Sequence, residues 1–222
     1  MDQELRKHVT KTGTTTVGIV CKDGIVIAAD KRATYGGDGG VSYIAGKNQD
    51  KILEVNSDII VTTAGVASDT RKLIKIVRAE LKLKELKART RSTIKQAANL
   101  FSSIAYQNIR QPSMIPAITH FLLGGKDIEG VYLYDINPDG FLIQSTDFVA
   151  TGSGMVHCNP ILDSDYKKGL TLEEGTALAK KCIMASMGRD PASGEGIDIY
   201  TVTKDKIEQV SKQKIELTLK DQ

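Results

Sequence analysis

Residues 11–34 read KTGTTTVGIVCKDGIVIAADKRAT, and this stretch decides the fold. Two runs rich in β-branched residues, 14–20 and 25–34, lie on either side of the turn sequence Lys22-Asp23-Gly24, which predicts a β-hairpin. The second run passes through two alanines before it reaches the charged Asp30. The first strand is therefore expected to begin close to Thr14.

Thr14 is of chemical interest because of what would follow if the chain were cut before it. A threonine hydroxyl is a weak nucleophile, but a threonine at a chain terminus carries a base in its own amine. Gly13 has no Cβ and lets the hydroxyl approach its carbonyl, so attack could convert this amide to an ester that water then hydrolyses. We therefore expect residues 1–13 to be a removable propeptide; they are polar and fit neither a signal peptide nor a membrane span.

Two motifs in this region carry a family resemblance. Gly13-Thr14-Thr15-Thr16-Val17-Gly18 and Ala28-Ala29-Asp30-Lys31-Arg32-Ala33-Thr34 resemble the start of a proteasome beta subunit of the archaeal or eukaryotic kind. The likeness extends from Gly13 to about Thr203. It implies an N-terminal-nucleophile (Ntn) hydrolase fold, a single domain over residues 14–222, and a threonine-type endopeptidase.

The remaining periodicity predicts blocks of strands and helices. Strands are predicted at 51–55, 58–65, 117–123, 130–134, 141–150, 196–203 and 207–210. Helices are predicted at 66–87, from 94 onward after a break near Thr90, between 154 and 166, and from the capping box at Thr171 to about Met187. Blocks of this kind favour an α+β fold with antiparallel sheets. In the family they form a four-layer αββα sandwich of two mainly antiparallel sheets flanked by helices. The glycine-rich residues 36–40 predict a loop.

Composition excludes several classes of function. The 222 residues carry 30 basic and 27 acidic side chains and a net charge of +3, which gives no reason to expect nucleic acid or a membrane as a partner. Three cysteines, far apart and odd in number, indicate neither a disulfide framework nor a zinc site. Reduced thiols favour a cytoplasmic protein.

Asp30 and Lys51 form the first pair of candidate catalytic residues. A charge that ends a buried strand needs a partner, and Lys51 opens the next predicted strand. The resemblance implies that Lys51 is the family's catalytic lysine, paired to Asp30 and lowering the pKa of the Thr14 amine. An isolated pair of this kind is more often an exposed ion pair of little energetic value. Lys47 is a second candidate lysine, because the glycine-rich loop makes the count from Thr14 uncertain.

The resemblance also assigns supporting residues. Gly65 lies between a predicted strand and a helix, where backbone N–H groups gather and favour negative charge, and it would be the oxyanion donor. Ser153, Asp190 and Ser193 fall in two turn sequences, TGSG and RDPASG, and would hold the Thr14 amine and shuttle its proton.

A third set of residues matches the family's substrate groove. Extended peptide recognition by strand addition would use the backbone at Thr34 and Gly65. Ala33, Thr63 and Ala67 match the main specificity pocket and are all small, with Arg71 one helical turn further on. We expect a wide pocket that tolerates acidic side chains.

The sequence thus predicts a catalytic beta subunit that needs no metal or cofactor. The resemblance implies alpha subunits and other beta subunits as partners in stacked seven-membered rings, an ATP-dependent unfoldase as regulator, and unfolded polypeptides as substrates. Two alternatives stay open: a non-catalytic ring subunit that keeps its leader, and another Ntn amidase, including the bacterial two-ring relative.

Overall fold

The structure is a computed structural model that describes residues 13–36, 42–113 and 117–215. The expected propeptide, apart from Gly13, and most of the predicted loop at 36–40 lie outside the described residues. Four helices are described: α1 (Ala67–Ala88), α2 (Ile94–Ile109), α3 (Met155–Asp165) and α4 (Leu172–Met187).

Two antiparallel sheets form the centre of the molecule. The first has the strand order β11-β1-β2-β12-β13. Its strands are β1 (Thr16–Cys21), β2 (Gly24–Asp30), β11 (Phe148–Thr151), β12 (Gly196–Val202) and β13 (Ile207–Lys214). The second has the order β10-β9-β8-β6-β5, with β7 paired to β8. Its strands are β5 (Ile52–Asn56), β6 (Ile59–Thr62), β7 (Ala64–Gly65), β8 (Thr119–Lys126), β9 (Val131–Ile136) and β10 (Leu142–Ser145). A short hairpin of β3 (Ala33–Tyr35) and β4 (Tyr43–Gly46) stands apart.

The strand β2 shows how the layers are built. All seven of its residues are buried because both faces of the sheet are covered. Val26 and Ala28 pack into the core under α3 and α4, whereas Ile25 and Ile27 pack into the core between the sheets. A third core lies between the second sheet and α1 and α2. The predicted α+β fold with four αββα layers is confirmed.

Local signals place α4 where it was predicted. The Thr171 hydroxyl accepts the Glu174 N–H at 3.2 Å, and the Glu174 carboxylate accepts the Thr171 N–H at 2.8 Å. This capping box satisfies two of the N–H groups that a helix start leaves without partners. The helix then ends at Met187, as expected.

The prediction of a single strand over residues 141–150 is wrong. The chain bends at residues 146 and 147, so that β10 joins the second sheet and β11 pairs with β1 in the first. The bend is held because the Asp147 carbonyl accepts the Val20 N–H at 2.6 Å. Apolar residues are adjacent on both sides of the bend, Leu142 and Ile143 before it and Phe148 and Val149 after it, so no change of pattern marks the change of sheet. Similarly, the predicted run 25–34 divides at Lys31 and Arg32 into β2 and β3.

None of the helices in the described part of the chain has the length and apolar character needed to cross a membrane.

Candidate active site

Asp30 is the centre of the candidate site. The residue is 1% exposed, and its two carboxylate oxygens accept four hydrogen bonds. Oδ1 accepts the Thr15 N–H at 2.9 Å and the Lys51 ammonium at 2.6 Å. Oδ2 accepts the N–H groups of Arg32 at 3.0 Å and Gly194 at 2.9 Å. These four hydrogen bonds offset the cost of removing the carboxylate from water.

Lys51 lies inside the molecule at this carboxylate. It is 4% exposed, and its Nζ atom also lies 3.5 Å from the Gly13 carbonyl oxygen. Burial lowers the pKa of the Lys51 ammonium, and the Asp30 carboxylate opposes that shift. A lysine in this setting gives up its proton more readily than an exposed one. Lys47, the other candidate, is exposed.

Thr14 is held next to the bond that precedes it. Its hydroxyl donates to the Gly13 carbonyl oxygen at 2.7 Å, and the residue is 5% exposed. A Cβ added to Gly13 would lie 1.7 Å from Cβ of Ala192 and 2.9 Å from Oγ of Ser153. Only glycine fits between the threonine and the loop that carries Ala192.

Ser153, Asp190 and Ser193 form one hydrogen-bonded group. The hydroxyls of Ser153 and Ser193 donate to Oδ2 of Asp190 at 2.6 and 2.7 Å. The Thr14 N–H, here part of an amide, donates to Oγ of Ser153 at 3.3 Å. Ser153 therefore contacts the nitrogen of Thr14 directly, and Asp190 connects Ser153 to Ser193, although the three residues come from two distant loops.

Gly65 lies on the other side of the threonine. Its φ is 101°, a left-handed conformation that favours glycine, and an added Cβ would lie 2.2 Å from the Ile118 carbonyl oxygen. The next residue, Val66, donates its N–H to that same oxygen at 2.9 Å. A residue with a side chain could not hold the backbone in this position.

A pocket opens beside Thr14 and contains all the predicted substrate-binding residues. Its cavity volume is about 60 Å³. Ala33, Thr34, Thr63, Ala67 and Arg71 line it together with Gly13, Thr14, Lys51 and Gly65.

Four lining residues were not predicted: Arg32, Gln49, Asp50 and Thr70. Two of them directly precede Lys51, so the position of that lysine was the signal that could have found them. Thr70 lies three residues after Ala67, on the same face of α1. The signal for Arg32 was its place in the charged group that ends β2.

The sequence also did not predict a contact between serine and threonine hydroxyls beneath the site. Oγ1 of Thr15 lies 2.5 Å from Oγ of Ser186 and 2.6 Å from Oγ of Ser193. Thr15 and Ser193 are both fully buried. This contact connects the residues just before β1 with α4 and with the Asp190 loop.

The described residues contain no group of three or more His, Cys, Asp or Glu side chains arranged to hold a metal ion. The three cysteines are free and buried. Around Thr14, the arrangement brings together a hydroxyl, a carbonyl, an ammonium and a carboxylate.

Comparison with known proteins gives one consistent result. The profile of the family described as "Proteasome subunit" matches residues 10–202. The chain is 37% identical over 216 residues to "Proteasome subunit beta" of Archaeoglobus profundus, and these residues cover 97% of this chain and 96% of that protein. It is 35% identical over 220 residues to "Proteasome subunit beta" of Methanococcus maripaludis, covering 99% and 96% of the two chains.

Proposed function

The chain belongs to the proteasome subunit family, and we propose that it is a catalytic beta subunit whose nucleophile is Thr14. Its relatives are beta subunits, so the family places it in a multi-subunit protease core. One observation carries the catalytic assignment. The Thr14 hydroxyl and the Lys51 ammonium lie on the same carbonyl oxygen, that of Gly13.

The first step is cleavage of the Gly13–Thr14 bond. Oγ1 of Thr14 attacks the Gly13 carbonyl carbon, a C–O bond forms, the C–N bond breaks, and the nitrogen takes up the hydroxyl proton. The product is an ester with a free Thr14 amine. Water hydrolyses the ester and releases residues 1–13 with a carboxyl terminus. Lys51 stabilises the negative charge that develops on the Gly13 oxygen.

The second step repeats this chemistry on a substrate. The Thr14 amine takes the hydroxyl proton, Oγ1 attacks the scissile carbonyl, and the amine then gives the proton to the leaving amine. Gly65 is the proposed oxyanion donor. Water, deprotonated by the same amine, releases the acyl group. Lys51, charged beside Asp30, lowers the pKa of the amine and keeps it neutral.

The group around Asp190 would hold the new amine. Ser153 already accepts the Thr14 N–H, and Asp190 accepts the Ser153 hydroxyl. After cleavage, the same hydrogen bonds would orient the lone pair of the amine and carry its proton. Ser193 completes the set through its own bond to Asp190.

The pocket beside Thr14 is the proposed site for the side chain that precedes the cut. A substrate strand would lie between the backbones at Thr34 and Gly65. The substrates are unfolded polypeptides, and the partners are alpha subunits, other beta subunits in stacked seven-membered rings, and an ATP-dependent unfoldase in the cytoplasm.

The test is an intact-mass measurement on the full chain co-expressed with an alpha subunit of the same organism, with Thr14→Ala as the control. We expect the wild-type chain to lose residues 1–13 in assembled rings and to cleave an unfolded polypeptide, whereas Thr14→Ala keeps the leader and is inactive. Retention of the leader in active rings with other beta subunits would show a structural subunit. Processing with hydrolysis of small amides alone would show an Ntn amidase.

A further inference from the structure

A second buried ion cluster lies beside the first and has no part in the chemistry described above. Lys31 is fully buried, and its Nζ atom lies 2.5 Å from Oδ2 of Asp198 and 2.9 Å from Oδ1 of Asp50. Asp198 is 3% exposed on β12, whereas the side chain of Asp50 is 54% exposed at the pocket. A lysine that has left water completely needs such partners.

Stability alone is a poor explanation for this cluster. The cost of removing two charges from water can exceed their attraction, and an apolar pair of similar size is often as stable or more stable. The cluster is better explained by what it holds in place. Lys31 directly follows Asp30, and Asp50 directly precedes Lys51, so two neighbouring ion pairs join the same two segments of chain.

The segment that contains Asp50 is held at its end by the second sheet, because the Lys51 carbonyl accepts the Thr63 N–H at 2.9 Å. In the described structure, β4 ends at Gly46 and β5 begins at Ile52, so residues 47–51 lie outside both strands. The backbone of Lys31 holds this segment as well, because its carbonyl accepts the Gln49 N–H at 2.9 Å. The Lys31 N–H donates to the Gly194 carbonyl oxygen at 3.0 Å, next to the loop of Asp190 and Ser193.

We propose that Lys31 is a positioning residue, which holds the segment 49–51 through Asp50 and thereby places the Lys51 ammonium against Asp30 and the Gly13 carbonyl. This inference rests on the proposed function, because the position of Lys51 matters only if Thr14 is a nucleophile. The contacts from Asp198 through Lys31 to Asp50 are called the link below. Asp198 is its fixed end, because Asp198 lies on β12, which has a neighbouring strand on each side in the first sheet.

The charges around Asp50 support this role. The hydrogen bond from Lys31 lowers the pKa of the Asp50 carboxyl and so favours its charged form. Lys212 on β13 lies 3.9 Å from the same oxygen, but its side chain is half exposed. Without Lys31, the Asp50 carboxylate would lose its buried cationic partner, and the segment 49–51 would lose this contact with the first sheet.

The link can be cut from either end without leaving a buried charge alone. Asp50→Ala removes the half-exposed partner and keeps the buried pair of Lys31 and Asp198. The double variant Lys31→Met with Asp198→Asn removes the buried charges and keeps Asp50. Lys31→Arg retains the positive charge. Lys181→Met is the matched control, because it breaks an ion pair of 2.7 Å with Asp165 that lies outside the pocket.

Each full-length variant is co-expressed with an alpha subunit, and peptide hydrolysis is measured per processed chain across pH. We expect both link-cutting variants to lose about tenfold or more in kcat, because small displacements of catalytic groups are costly. The acid limb of kcat/KM should also move to higher pH, since a displaced Lys51 no longer lowers the pKa of the Thr14 amine. Lys31→Arg and Lys181→Met should keep kcat within about threefold.

The proposal is overturned if both link-cutting variants keep the wild-type kcat and the wild-type acid limb of kcat/KM. A fall in melting temperature alone, with both kinetic quantities unchanged, overturns it too. It is also overturned if kcat falls with no movement of the acid limb, because the loss would then not come from Lys51. A wild-type chain that keeps its leader and hydrolyses nothing would instead refute the proposed function itself.

Discussion

The ammonium of Lys51 lies 2.6 Å from Oδ1 of Asp30, and both groups are almost fully removed from water. The pair is asymmetric. Asp30 has three further donors in the backbone N–H groups of Thr15, Arg32 and Gly194, whereas the ammonium has the Gly13 carbonyl oxygen as its other hydrogen-bond acceptor. The carboxylate is thus held by the fold, and the lysine is directed at the bond before Thr14.

This asymmetry predicts that Lys51 can be removed without loss of the fold. In Lys51→Ala, the Asp30 carboxylate keeps its three N–H donors, so we expect a folded chain. Peptide hydrolysis should fall by about 100-fold or more, because the charge beside the amine is lost. The rate at which residues 1–13 are removed, measured by intact mass over time, should fall as well.

Lys47→Ala is the matched control for that substitution, since this exposed lysine was the competing candidate. It should be processed and should hydrolyse peptides at the wild-type rate. If Lys47→Ala were inactive and Lys51→Ala active, the assignment of the lysine would be refuted.

Gly13→Ala is expected to block release of the leader. The new Cβ would overlap Cβ of Ala192, so the Gly13–Thr14 junction or the Ala192 loop must shift from its present position. We expect the cleavage rate, measured by intact mass over time, to fall by about tenfold or more. Adding Ala192→Gly should restore part of the rate, because it removes the overlapping atom.

Gly188→Ala is a suitable control, because its added Cβ would meet nothing closer than 3.6 Å. It should be processed normally. Fast processing of Gly13→Ala would show that space at this junction does not limit the reaction.

Arg71 is expected to set the tolerance of the pocket for acidic side chains. It lines the pocket with small residues, and its positive charge is opposed by the nearby Asp50. We predict that peptides with Glu before the cut are hydrolysed at a measurable rate. Arg71→Gln should lower the ratio of kcat/KM for Glu over Leu by about fivefold, the effect of one partly exposed charge.

Lys72→Gln removes the next charge along α1 outside the pocket lining, and it should leave the Glu-to-Leu ratio unchanged. A wild-type enzyme that cleaves only after large apolar residues would contradict the prediction for acidic side chains.

Cys21 gives a prediction for stability at high pH. Burial, with smaller effects from Asp23 and Glu174, raises the pKa of its thiol from 9.0 to about 11. The unfolded chain therefore releases this proton first as the pH rises, and the contribution of the thiol to stability is lost between about pH 9 and 11. We expect the difference in unfolding free energy between wild type and Cys21→Ala to change by of order 2 kcal/mol over this range.

Urea denaturation of the two proteins at pH 8 and at pH 11 measures this difference, and other titrating groups cancel in the comparison. A difference that does not depend on pH would show that the Cys21 thiol titrates normally. At pH 7.5 the thiolate fraction should be about 1 in 3,000, so alkylation of the native protein should be slow.

Much of the site was predictable because the sequence patterns that indicate it span only a few residues. The alternation of β1 and β2, the turn at Lys22-Asp23-Gly24 and the charged residue at the end of β2 are all visible within a few positions. The capping box at Thr171 likewise needs only four residues. The family motifs then connected Thr14, Asp30 and Lys51, although their catalytic roles stay predictions.

The contacts that were not predicted join residues far apart in the chain. Lys31 lies 167 residues from Asp198, and Oγ1 of Thr15 lies 171 residues from Oγ of Ser186. The thiol of Cys158 donates to the carbonyl oxygen of Cys182 at 3.5 Å. The spacing of the cysteines in the sequence did not indicate this contact. No pattern in the sequence marks such partners, because they meet only when strands and helices from distant parts of the chain pack together.

The sequence alone predicted most of the local structure and indicated Thr14 as the candidate nucleophile, since turns and caps depend on neighbouring residues. The tertiary structure alone decided that the run 141–150 is shared between two sheets, that Lys31 is buried, and that Asp50 enters the pocket. The physical reason is that burial is collective. A charged side chain takes its place inside the molecule only where distant strands supply its partners.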